Sequence, residues 1–216
     1  MAGLMNTKGT ERETVESDTA RLLSRELDHR VFNNLQMISS LLDIQLHDTV
    51  SPQGRRALKI VQSRLKSISL VNEFNIAAGG TGILDAVDLA AGFATIMVQT
   101  HSSPSRKLSI SCLGPSRLVS VNTAMPLVLI ASEFVNAAIE TGKSTGEDTI
   151  EINWRIDPPN ACIAMRSGGR GIGPSGMKLI EAMARQICME ARTSKRDGRA
   201  ELKLAFMRRA ATKKEP

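Results

Sequence analysis

At 216 residues, 42% hydrophobic and 23% charged, the chain has the size and make-up of a globular protein with one large or two small folded units. Five Phe, one Trp and no Tyr leave the core to aliphatic and Met side chains, and with basic residues scattered through a net charge of +6 they argue against a nucleic-acid interface, which needs stacking rings and a clustered basic patch. A mildly basic surface suits an acidic protein partner. Cys112, Cys162 and Cys188 are far apart and odd in number, with no spacing for zinc, so free buried thiols in a reducing cytoplasm are expected. No membrane segment is expected either, because no stretch approaches 18 continuous apolar residues.

Residues 1–15 are polar and unpatterned, as in a disordered tail. A helix is predicted over 16–47. On its wheel, at about 100° per residue, Leu23, Leu27, Val31, Leu35, Ile38, Leu41 and Leu42 form one apolar stripe. Asp48-Thr-Val-Ser-Pro-Gln-Gly54 breaks it, and a second helix runs over 53–75 with a heptad-like seam of Leu58, Val61, Leu65 and Ile68. The two make an antiparallel hairpin, residues 16–78, that leaves much of its stripe uncovered. Two copies pairing as a four-helix bundle would cover it, so a homodimer is expected. Ala77-Ala-Gly-Gly-Thr-Gly82 marks a boundary. Beyond it, 84–208 reads as a second domain: helices over 86–101, from Asn122 or Thr123 to 141, and over 176–189, with strands over 106–112, 117–121, 149–154, 161–165, 190–195 and 200–207. The fold class is therefore α+β, a helical hairpin followed by an α/β sandwich of three helices on a mostly antiparallel sheet. Residues 209–216 form a basic tail. Met97, Met125, Met165, Met177 and Met183 are candidate core fillers.

His29 lies opposite the apolar stripe of the first helix, sharing a face with Asn33, Gln36 and Ser40. An imidazole held in water on a rigid helix suits phosphoryl acceptance, which needs one ring nitrogen free as nucleophile and the other hydrogen-bonded. Asp28 could accept that second bond, Arg30 could neutralise phosphoryl charge, and Asn33 could donate to it. Gln36 and Ser40 extend the same face as partner-binding candidates. His47 and His101 read as helix-end residues.

The run Asp28-His-Arg-Val-Phe-Asn-Asn-Leu-Gln-Met-Ile-Ser-Ser-Leu-Leu42 resembles the H-box of the HisKA_2/HWE-type bacterial sensor histidine kinases, His-His-Arg-Val-Lys-Asn-Asn-Leu-Gln-hydrophobic-Ile-Ser-Ser-Leu-Leu. The resemblance puts His29 at the phosphoacceptor position, with Asp28 and Phe32 in place of the family's His and Lys. It implies a dimerisation and phosphotransfer hairpin followed by an ATP-binding domain of the GHKL (Bergerat) type.

The second domain departs from that family in the residues that would hold nucleotide. Ser132-Glu-Phe-Val-Asn-Ala-Ala-Ile-Glu-Thr141 stands where the family has Asn-Glu-Leu-x-x-Asn-Ala-x-Lys-His: Glu133 is kept, the magnesium-binding Asn position falls on Ala137, and Asn136 is one residue off register. In Arg166-Ser-Gly-Gly-Arg-Gly171, Ser167 replaces the adenine-binding Asp of Asp-x-Gly-x-Gly. Gly169, Gly171 and Gly176 keep the glycine pattern, and the lid segment between the boxes is nearly absent. A helix start after glycines can bind phosphate, but tight turns explain such glycines equally well. A degenerate site with ATP binding largely lost is expected, with no metal ligand set on this chain.

The expected function is a histidine phosphotransferase. His29 would move a phosphoryl group between the aspartates of response-regulator receiver domains, with Mg²⁺ supplied by the receiver. The alternatives are a HisKA_2-type kinase that phosphorylates His29 from ATP, and a receiver-binding adaptor without chemistry.

Overall fold

The computed structural model describes residues 7–142, 146–155, 162–169 and 171–206, with side chains from residue 26 onward except at positions 28, 146 and 147. Chain order is α1 (Thr7–Asp48), α2 (Pro52–Ala77), β1 (Ile83–Asp85), α3 (Ala86–His101), β2 (Arg106–Leu113), β3 (Leu118–Ser120), α4 (Val121–Thr141), β4 (Gly146–Arg155), β5 (Cys162–Ser167), α5 (Pro174–Gln186), β6 (Met189–Arg196) and β7 (Arg199–Phe206). Residues 1–6 of the expected disordered tail and the expected basic tail at 209–216 lie outside the described residues. The rest of the expected N-terminal tail is helical instead. Glu11, Arg12, Glu13 and Glu16 are good helix formers, and no proline, nor any glycine after Gly9, interrupts α1.

Helix starts follow their caps. Ser51 accepts from the Gly54 amide with Pro52 in the first turn of α2, and Asp85 accepts from Val87 N at 2.7 Å at the head of α3. α4 is capped by Ser120, whose Oγ accepts from Thr123 N at 3.2 Å, rather than by Asn122 or Thr123. α5 begins two residues before the predicted start because Pro174 is preset for the first turn. It stops at Gln186, and Cys188 takes a φ of 56° before β6. Asp197 and Gly198, both at positive φ, make the two-residue turn of the β6–β7 hairpin.

The main sheet has the order β2-β4-β5-β7-β6, parallel between β2 and β4 and antiparallel elsewhere; β1 and β3 pair separately. One face carries Leu108, Ile150, Ile152, Ile163, Met165, Leu202 and Leu204 into the core beneath α3, α4 and α5. Met97, Met165 and Met183 are buried there, with Met125 and Met177 packed at its margin. α4 is apolar and long enough to cross a membrane, but it is the sandwich's core helix, with Val128, Ile130, Phe134 and Val135 all buried. This is the α+β architecture expected, a hairpin followed by a GHKL-type sandwich.

Packing crosses the glycine turn at 77–82. Leu70 and Val71 of α2 belong to the sandwich core, and Gly92 of α3 lets the helices approach, since a Cβ there would sit 2.9 Å from Leu70 Cδ1. The heptad seam is not the buried face of α2: Val61 is exposed and Leu58, Leu65 and Ile68 are half-buried, while Gln62, Ser63 and Ser67 are buried. Serines at i and i+4 bring α2 close to α4. Their hydroxyls are satisfied partly on the helix itself, Ser67 Oγ donating to Ser63 O at 2.8 Å. The thiols are also less buried than expected: Cys112, near the end of β2, and Cys162, the first residue of β5, are half-buried, and Cys188, between α5 and β6, is exposed.

Candidate functional site

α1 carries His29, Asn33, Gln36 and Ser40 on one exposed face. His29 has no polar partner among the described residues, so its ring is open to a docking molecule. The side chain of Asp28, expected to hold the imidazole, lies outside the described residues. Arg30 is committed to Glu26, Nε donating to Oε1 at 2.9 Å. Both partners are more than half exposed, and such i,i+4 pairs are worth only about 0.3–0.5 kcal/mol, so Arg30 is weakly held. Ser40 Oγ donates back to Gln36 O at 3.0 Å, which turns its hydroxyl onto its own helix.

The residues at the nucleotide-box positions are gathered around α4, but their polar atoms are engaged inside the molecule. Arg64 of α2 donates to Glu133 twice, Nε to Oε1 at 2.5 Å and Nη2 to Oε2 at 2.9 Å. That bond holds the guanidinium above its usual range, against the opposing effect of burial. Asn136 turns to α2 and donates from Nδ2 to Ser63 Oγ at 2.9 Å; Ser132 Oγ donates to the same hydroxyl at 3.4 Å. Ala137, which follows, brings no ligand atom. Ser167 is buried at the end of β5, opposite Ala200.

The glycines have structural reasons to be there. A Cβ at Gly169 would meet Thr141 Oγ1 at 2.6 Å and Ala138 O at 3.0 Å, so this loop can lie on the end of α4 only without a side chain. Gly171 adopts a φ of 108°, open to glycine alone at little cost. Gly176, half-buried in the first turn of α5, faces Ile172. Between α2, α4 and the start of α5 remains a cavity of about 310 Å³, lined by Arg64, Glu133, Asn136, Glu140, Gly173 and Ser175 among others. The donor set does not suit a magnesium–triphosphate group: its one buried carboxylate is neutralised by Arg64 and its amide is bonded to Ser63. The α2 contribution does not show in the apolar seam of that helix. The small residues at 63 and 67, with Arg64 between them, were the available signal.

An exposed histidine on a long hairpin, followed by this mixed sandwich, is the arrangement of histidine kinase domains, and the chain is similar to such proteins. Residues 26–100 match the HisKA_2 family, described as histidine kinase. The chain is 27% identical over 180 residues to the sensor histidine kinase PdtaS of Mycobacterium tuberculosis, covering 81% of this chain and 35% of that protein. It is 28% identical over 148 residues to a blue-light-activated histidine kinase of Brucella abortus, covering 68% of this chain and 28% of that one. The chain thus spans about a third of the length of these curated relatives. The fold is that of the histidine kinase domain of the Erythrobacter litoralis EL346 blue-light activated histidine kinase, with a TM-score of 0.58 and 18% identity over 87% of this chain and 93% of that one.

Proposed function

We propose that the chain is a histidine phosphotransferase of a two-component relay, with His29 as the phosphoryl carrier. The observation that supports this most is the contrast between two places. His29 is exposed on α1 with no polar partner among the described residues, while Glu133 and Asn136 are tied to Arg64 and Ser63 of α2. The imidazole attacks the phosphorus of an aspartyl phosphate on a receiver; a P–N bond forms, the P–O bond breaks, and the aspartate leaves as carboxylate. The receiver supplies Mg²⁺, and transfer to a second receiver runs the same step in reverse. Asn33 and Gln36 belong to the docking face in this reading. A homodimer goes with it, supported by the exposed Leu27, Val31, Ile38 and Leu41. A cytoplasmic setting goes with the three unpaired cysteines.

The second reading is a kinase that phosphorylates His29 from ATP. The match of residues 26–100 to a family described as histidine kinase, and the 310 Å³ cavity beside α4, favour it. One experiment separates the readings. The protein and His29→Ala are incubated with labelled ATP and, separately, with phosphorylated receiver domains. Label from the receiver alone, lost in His29→Ala, supports the transferase. Label from ATP makes it a kinase, and receiver binding without label makes it an adaptor.

A further inference from the structure

A second cavity, of about 290 Å³, lies on the other side of Glu140 from the first, between α2 and the ends of α3 and α4. Arg56 and Lys59 enter it from α2, one helical turn apart on one face, and His101, Ser103, Ser105 and Arg106 line its other wall. Arg106 is anchored, its Nε donating to Asp148 at 2.5 Å and its Nη2 to Ile139 O at 2.7 Å. Arg56 and Lys59 have no carboxylate and no hydrogen bond among the described residues. Lys66, close by, makes only a long contact with Thr100 Oγ1 at 3.5 Å. Glu140, exposed, is the one carboxylate among the cavity's lining residues. His101 is buried to 9% exposure and its Nε2 has no partner among the described residues. Burial first, and then the charges of Lys59, Arg106 and Lys66, push that imidazole down to about 4. Arg56 is exposed and Lys59 half-buried, so the guanidinium and ammonium groups are both hydrated and available to an incoming anion.

We propose that this recess is a binding site for a small phosphate-bearing anion of the diphosphate class, held by Lys59 and Arg56 with the Ser103 and Ser105 hydroxyls. The volume is at the low end for ligand pockets, which suits a compact dianion or trianion rather than a protein segment. The site is separate from the glycine-containing cavity and independent of the role of His29.

The test is calorimetric titration of the full chain with pyrophosphate, repeated with inorganic phosphate and sulfate. Lys59→Ala and Arg56→Ala are expected to weaken pyrophosphate binding at least about tenfold each. Ser175→Asp, on the wall of the other cavity, is expected to leave it within about twofold. Weakening by Ser175→Asp with none in Lys59→Ala would move the anion to the glycine-containing cavity and overturn the proposal. So would sulfate binding as tightly as pyrophosphate, displacement by an aspartate-rich peptide at equal charge concentration, or no saturation below about 10 mM. Circular dichroism of each variant establishes that it is folded, and Lys59→Arg, which keeps the charge, is expected to restore binding should Lys59→Ala prove unstable.

Discussion

Arg64 and Glu133 join the helical hairpin to the sandwich through a two-pronged bond between α2 and α4, 69 residues apart in sequence. The carboxylate side chain is 7% exposed and the guanidinium side chain 40%. Truncating the arginine therefore strands a buried charge. Arg64→Ala is expected to cost about 2–3 kcal/mol, below the usual range for a buried pair because water reaches the guanidinium. Glu133→Gln, which keeps an acceptor for Arg64 and removes the charge, is expected to cost less. Urea denaturation of the two variants checks the order, and the reverse order would mean that the pair is not what fastens the two parts.

Leu27 and Leu41 are 62% and 56% exposed on α1, in line with Val31 and Ile38. In the proposed dimer this stripe is the seam. Leu27→Glu combined with Leu41→Glu is expected to give a monomer by light scattering, with helix content largely kept because α2 stays docked on α4. A dimer that survives both charges would place its interface elsewhere.

His101 gives the molecule a dependence on mild acid. The unfolded chain binds a proton near the ordinary value of 6.5, whereas the folded ring resists protonation down to about 4. Below pH 6.5 the unfolded state holds more protons, so stability falls as pH drops from about 6.5 to about 4. His101→Leu is expected to flatten the denaturation midpoint across that window.

Glu201 acts lower on the scale. Burial alone would raise its carboxyl, but bonds from Arg166, Lys203 and Ser194 prevail and hold it at about 2, against 4.5 for the free group. Its contribution is present above pH 4.5 and is lost as pH falls from there to about 2. Glu201→Gln should lose less stability over that interval than the parent.

Gly114 lies against Trp154, and a Cβ there would come 2.3 Å from the ring. Gly114→Ala is expected to destabilise by about 2 kcal/mol through overpacking, read as a lowered melting temperature. The equivalent change at the open Gly173, which no atom approaches within 4 Å, should leave packing unchanged.

Much of the architecture was legible because its signals are local. Pro52 marks the start of α2, alternating residues mark β4 and β7, and Asp197-Gly198 marks a hairpin. The face around His29 was legible for the same reason, since one helix wheel defines it. What was missed is tertiary. The pairing of Ser63 with Asn136 spans 73 residues and joins two short polar side chains that hydropathy patterns score as surface. Likewise α2 was assigned to the hairpin by its leucines, whereas Leu70 and Val71 are claimed by the sandwich core. His101 read as a helix end, which it is; only the fold shows it closed in beside Lys59 and Arg106.

Trp154, whose Nε1 donates to Pro115 O at 3.1 Å, is the sole indole in a chain without tyrosine. Native ultraviolet emission therefore speaks for the sandwich, and α1 with α2 is optically silent beside it. Far-ultraviolet ellipticity is weighted toward those two long helices instead. Recorded together along one denaturant series, the two signals report whether the stalk and the sandwich melt as a single cooperative body.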